Sequence, residues 1–172
     1  MLTTQPILQQ SDFQSFVDLQ GNFPYTEKLL PKVLEAQQYD LKPLLGTDFY
    51  EEIASVIDNG NIIPGGFSKF DQTAYDALKV YLIDFVKYAA FTRYLSDPNN
   101  VLTRFGLVQK KTNHSEQSNG ENRKESKRYY GGLSESAKAD LCEYLDDNTN
   151  TFSTWGNDPS SHQGQGISFA SS

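Results

Sequence analysis

Residues 33–50 read VLEAQQYDLKPLLGTDFY, from Val33 to Tyr50, and the fold depends on how this stretch is taken. Leu30, Leu34, Gln37, Leu41 and Leu44 step by four and three, which predicts one face of a helix. Thr26 reads as its N-cap, with Glu27 in the first turn where the helix dipole favours a carboxylate. Pro31 removes one backbone hydrogen bond and bends the start. Pro43 disfavours helical geometry at Lys42 and is expected to end or kink the helix there. Gly46 then reads as a left-handed stop, and Thr47 as the cap of a second helix. Asp48, Glu51 and Glu52 fall in the early turns of that helix, and Phe49, Ile53, Val56 and Ile57 form its apolar side. Two rods joined by a stiff corner are therefore expected over residues 26–58.

Outward from this corner, Asn59-Gly60 ends the second helix, and Pro64-Gly65-Gly66 marks a turn. A third helix runs from its cap at Asp71 to about Leu95. Tyr75, Leu78, Leu82, Phe85 and Ala89, widened by Tyr81 and Tyr88, cover most of its circumference. Asp76, Lys79, Asp84 and Lys87 form a narrower wet side with two oppositely charged i,i+3 pairs. A helix so broadly apolar needs neighbours on several sides. The segment Leu102–Val108 reads as a short strand or a bulged turn. A last helix opens at Ser134 or Ser136, repeats Leu133, Ala137, Leu141 and Tyr144 on one face, and stops near Asn148.

Four helices in 172 residues suit a single small domain. Mean hydropathy is only −0.57, so part of the chain must lie outside any core. The expected layout is an extended arm over 1–25, a helical bundle over 26–152, and an extended Gly/Ser-rich tail over 153–172. Inside the bundle, residues 108–130 form a polar insert with room for a short hairpin. The fold class is all-α. Ten Tyr and eleven Phe against one Trp suit either an aromatic core or an assembly interface.

The formal charge is −7, with a pI near 4.8. Broad phosphate binding is disfavoured, because it depends on Lys and Arg displacing counterions. The insert departs from this balance. Lys110, Lys111, Arg123, Lys124, Lys127 and Arg128 stand against Glu116, Glu121 and Glu125, a local +3 that leaves −10 for the rest. This is a basic projection on an acidic body, or a plain solvated loop. No secretory signal is read at the N-terminus, and the apolar run Val80–Phe91 is interrupted by Asp84 and Lys87, so a soluble protein is expected. The single cysteine, Cys142, leaves no internal disulfide and reads as a small buried thiol.

No constellation of residues points to catalysis. His114 and His162 sit in polar segments without zinc-ligand spacing. Asp146-Asp147-Asn148-Thr149-Asn150 starts like a calcium loop, but Thr151 replaces its glycine and Asn157 its bidentate glutamate. Asp40, Asp48, Glu51 and Glu52 are explained by capping and solvation. The chain reads as a non-enzyme without cofactor or metal.

The order AQ, LKPLLG, DFY across residues 36–50 resembles the head–tail connector (head-completion or adaptor) proteins of tailed bacteriophages, in the branch seen in crAss-like and related gut phages. A long aromatic helix from Tyr75 to Tyr94, TRFGLV at Thr103–Val108, and EYLDDN followed by Phe152 and Trp155 agree with that branch. The resemblance spans roughly Leu19 to Trp155; the basic insert and the Gly/Ser tail have no counterpart in it. It implies a structural virion protein at the head–tail junction, made in the host bacterial cytoplasm. It further implies a cyclic, dodecameric ring on the portal protein, a tail or second ring protein as neighbour, DNA passing through without specific binding, and no membrane. Interface residues are then expected at Gln37, Gln38 and Tyr39, at Lys110, Lys111, Arg123, Lys124, Lys127 and Arg128, and at Phe152 and Trp155. A non-viral adaptor that binds one partner through its arms is the other reading.

Overall fold

The computed structural model describes residue 6 and residues 10–14, 25–55, 57–58, 61–62, 72–97, 101–103, 106–108 and 119–155. Its helices are α1 (Gln10–Gln14), α2 (Tyr25–Lys28), α3 (Leu30–Ala36), a π-helical turn (Gln37–Leu41), α4 (Lys42–Leu45), α5 (Thr47–Ser55), α6 (Gln72–Ser96) and α7 (Asn119–Asp147). Two antiparallel hairpins connect them: β1 (Ile57–Asp58) with β2 (Asn61–Ile62), and β3 (Val101–Thr103) with β4 (Gly106–Val108). The fold is all-α, as expected. Asn59-Gly60, read above as a helix stop, separates β1 from β2 in sequence. It is also the dipeptide that most strongly favours a two-residue hairpin.

The expected first rod is one nearly continuous helical run from Tyr25 to Leu45. Leu29 N–H donates to Tyr25 O and Val33 N–H to Leu29 O, each at 2.9 Å, so the axis carries past Pro31. Of the two outcomes expected of Pro43, it does not end the helix. The chain widens instead into the π-turn, where Lys42 N–H donates to Gln37 O, five residues back. That extra residue moves the carbonyls clear of the proline ring, which would clash with the carbonyl of residue 39 in a regular α-helix.

The helix ends at Gly46, whose N–H donates to Lys42 O at 3.0 Å and whose carbonyl accepts from Tyr50 N–H at 3.1 Å. Gly46 has φ 79° and ψ 158°. The positive φ matches the expected stop. The extended ψ places it in a region essentially reserved for glycine, beyond the left-handed helical one. Gly46 also precedes α5 directly, so Thr47 is the first helical residue and not the cap.

The α6 helix is the centre of the bundle, two residues at most from its expected limits. Tyr75, Leu78, Leu82, Phe85, Ala89 and Ala90 are buried, with Phe91, Tyr94 and Leu95 at its end. Each large side chain taken from water contributes about 1.5–3 kcal/mol. Tyr81 stacks on Tyr144 and Phe91 meets Tyr130 edge-on, so α6 and α7 pack antiparallel. Lys87 Nζ lies 2.7 Å from Asp84 Oδ1, one of the two expected i,i+3 pairs.

Three boundaries differ from the sequence reading. The arm over 1–25 contains α1, and its Phe13 is fully buried, tilted against Tyr25 at 5.8 Å. The insert is helical from Asn119, so α7 begins about four turns before Ser134 and runs through Gly131-Gly132. Trp155, placed in the expected tail, joins the core, as does Phe152 at the end of the expected bundle. Phe152 and Trp155 are 1% and 5% exposed and pack their rings on Phe49 at 5.9 and 6.2 Å. Trp155 Nε1 donates to Asp146 Oδ1, and Thr154 Oγ1 to Glu52 Oε2, each at 2.8 Å. The turn after α7 thereby ties α5 to the end of α7.

Candidate interface beside the π-helical turn

The widened turn at Gln37–Leu41 rotates successive side chains to different fates. Gln37 is 2% exposed and faces inward, Gln38 is half-buried, and Tyr39 is 65% exposed. Asp40 accepts two hydrogen bonds from Arg93 of α6, Nε to Oδ2 at 2.8 Å and Nη2 to Oδ1 at 2.7 Å. This is the bidentate geometry that a planar guanidinium makes with a carboxylate. The same guanidinium lies 5.8 Å from the centroid of the Tyr39 ring, within cation–π range. Hydrogen bonding to Asp40 raises the Arg93 pKa further above its ordinary value, against a smaller opposing effect of burial. The π-turn is thus pinned to α6 by a permanent charge pair.

Behind this pair runs a groove of about 390 Å³ between the first helical run, α6 and α7. Tyr39, Pro43 and Leu44 form one bank, Phe85, Ala89 and Thr92 the floor, and Gly131, Glu135 and Lys138 the other bank. Thr92 Oγ1 is buried in this lining without a hydrogen-bond partner among the described residues. A neighbouring polar group could satisfy it.

The opposite flank of the α6–α7 seam is different. Successive residues of a helix turn by about 100°, so on α7 Asp140, Glu143 and Asp147 lie on the far side of the buried stripe of Ala137, Leu141 and Leu145 from Gly131, Glu135 and Lys138. A hollow of about 350 Å³ opens there, lined by Tyr81, Tyr144, Asp140, Glu143 and Asp147. Its floor is the Tyr81–Tyr144 stack, with centroids 4.5 Å apart and an interplanar angle of 19°. One flank therefore offers a groove in which Asp40 and Glu135 balance Arg93 and Lys138, the other an aromatic floor rimmed with carboxylates.

The residues expected at interfaces are divided by the fold. Tyr39 is exposed; Gln38 is half-buried. Gln37, Phe152 and Trp155 are corrected to core positions, since a side chain packed inside its own chain offers no surface to a partner. Lys124, Lys127 and Arg128 are exposed on the first turns of α7. Arg123 lies on the same turns, and its side chain is outside the described residues. Lys110 and Lys111 lie outside them too, as do His114, His162 and residues 156–172. Asp40 and Arg93 were not singled out together from sequence, because 53 residues separate them. Cys142 is half-buried, and burial raises its thiol pKa, with Asp146 adding to the rise and Lys138 opposing it. Among the described residues no group of three or more His, Cys, Asp or Glu could hold a metal, and no helix is long and apolar enough to cross a membrane.

Residues 41–165 match the model of a family of unknown function, DUF6712. The chain belongs to that family. The match starts inside the π-turn at Leu41 and takes in the elbow at Gly46, α5, α6, α7 and the turn that carries Phe152 and Trp155. Tyr39 and Asp40 lie just outside it, while Pro43 and Leu44 of the same bank fall within it. No curated protein and no solved structure matches the chain.

Proposed function

We propose that this protein is a structural component of a tailed-phage virion, a ring at the portal that joins capsid to tail and lets DNA pass. The reading rests on the resemblance carried by AQ, LKPLLG and DFY, and one structural observation supports it above others. The two flanks of the α6–α7 seam are chemically unlike. A ring is built by a heterologous contact, in which one surface of each copy meets a different surface of the next, so each copy needs two. The Tyr39–Arg93 groove and the Tyr81–Tyr144 hollow leave each copy with unlike flanks, so that its surface is not limited to a self-complementary contact. The Gly46 elbow, clamped by Lys42–Glu51 at 3.3 Å and by the ring contacts of Phe49, holds the two helical arms at one angle. A fixed angle gives identical copies a fixed wedge.

The net charge of −7 suits a channel wall that does not hold DNA, because phosphates find few cations on it. The portal protein below the capsid, a tail or second ring protein on the other side, and twelve-fold closure follow from the resemblance and belong to the same proposal. Mass photometry and negative-stain imaging of the purified protein, alone and with portal protein, test it. Rings with a central pore are expected. Strictly monomeric protein under both conditions would reject the reading and favour an adaptor that binds a single partner.

A further inference from the structure

We propose that the basic first turns of α7 dock into the acidic tyrosine hollow of a second copy of this chain. The inference rests on the reading of the protein as self-assembling and names which surfaces mate. Its starting point is the outward side of α7 just before Tyr130, the residue that packs edge-on against Phe91 of α6. Lys124, Lys127, Arg128 and Tyr129 are all exposed, and the first buried residue of α7 among those whose burial is described is Ala137. Lys124, Lys127 and Arg128 make no ion pair or hydrogen bond among the described residues, with only Glu125 as a neighbouring exposed acid.

The hollow mirrors this pattern. Asp140, Glu143 and Asp147 are exposed around the Tyr81–Tyr144 stack and likewise have no partner among the described residues. Their position is not explained by helix stability. The last turn of α7 carries Asp146 and Asp147 and no base, the reverse of what the helix dipole favours. Asp146 is engaged by the Trp155 indole; the other three carboxylates face outward.

Charge complementarity commits the hollow to a cationic occupant, and the stacked phenols suit one carrying a guanidinium or ammonium over an aromatic face. The chain's own basic turns cannot serve. Lys127 and Glu143 sit on one rigid helix sixteen residues apart, about 24 Å at 1.5 Å per residue. Two complementary patches that cannot meet within a molecule can meet between copies.

The experiment uses two full-length variants. One carries Lys124→Glu, Lys127→Glu and Arg128→Glu; the other carries Asp140→Lys, Glu143→Lys and Asp147→Lys. Circular dichroism checks that both remain helical, and the second reversal should stabilise the C-terminal end of α7. Sedimentation velocity then compares wild type, each variant, and their equimolar mixture. Each variant alone should associate more than about a hundred-fold more weakly than wild type, since like charges brought face to face cost several kcal/mol. The mixture should regain association, because each reversed prong now faces a reversed hollow. Variants that associate as wild type does, or a mixture that stays dissociated, would overturn the docking and leave the ring reading standing. Rescue in a closed dimer would support the docking and overturn the ring.

Discussion

Arg93 holds Asp40 through two parallel hydrogen bonds of 2.8 and 2.7 Å, joining the π-turn of the first helical run to the last turn of α6. Both side chains are about a third exposed, at 31% and 30%. The pair is therefore worth less than a buried one and more than a fully solvated one. A double-mutant cycle with Asp40→Asn and Arg93→Gln should give a coupling of about 1 kcal/mol in urea unfolding. Arg93→Lys should lose most of it, since an ammonium cannot make the fork. Additive single effects would show that the two groups do not act together.

Gly46 has a backbone conformation that side chains rarely adopt. Gly46→Ala should lower stability by about 1–3 kcal/mol, read as a lower urea midpoint with an unchanged slope. It should also weaken any self-association, because the elbow sets the angle between α4 and α5. An unchanged midpoint would mean that the corner does not hold the φ of 79° seen here.

Gly131 and Gly132 fall inside α7, where glycine is costly, and a Cβ built on either meets nothing within 4 Å. Gly131→Ala and Gly132→Ala should each raise stability by about 0.5–1 kcal/mol. The result to watch is a drop in self-association without a drop in stability. That outcome would show the Gly131 bank of the groove to be needed bare by a partner.

Burial pushes the phenols of Tyr25 and Tyr94 up to about 12, with Asp12 and Asp97 adding to the effect, and raises Tyr75 further still. In the unfolded chain these groups ionise near 10. The native state thus keeps its protons where the unfolded state loses them. The stabilisation is complete below about pH 10 and drains away as pH rises through about 12. Thermal melts from pH 8 to 11.5 should show the midpoint falling above pH 10. The Tyr25→Phe, Tyr94→Phe double variant should flatten that fall; an equally steep decline would assign it to other groups.

Much of the fold was legible because helices are written locally. The apolar stripe from Tyr75 to Ala89 places α6 almost to the residue, and Pro43, Gly46 and Thr47 mark the corner. The errors arose where two local signals competed or a distant partner decided. Pro43 signals a break, yet the helix passes it by widening into a π-turn whose Asp40 is then caught by Arg93. Gly131-Gly132 makes a poor helix interior, yet α7 runs through it, supported by Tyr130 against Phe91. Asn59-Gly60 was a readable hairpin signal that was taken only as a stop. Phe152 and Trp155 look like free anchors in a polar tail, and only the position of Phe49 makes them core.

By itself the sequence determined the helical class, the corner, the central helix and the basic stretch within an otherwise acidic chain. These depend on periodicity and on single residues such as Gly46, whose effects reach no further than a turn or two of chain. Only the tertiary structure decided which residues face outward, that the aromatic tail packs inside, and that the Tyr39–Arg93 groove and the carboxylate-rimmed hollow lie on opposite flanks of one seam. Those outcomes depend on side chains as far apart as Asp40 and Arg93, or Glu52 and Thr154. Closing such long loops is repaid only once the whole bundle packs.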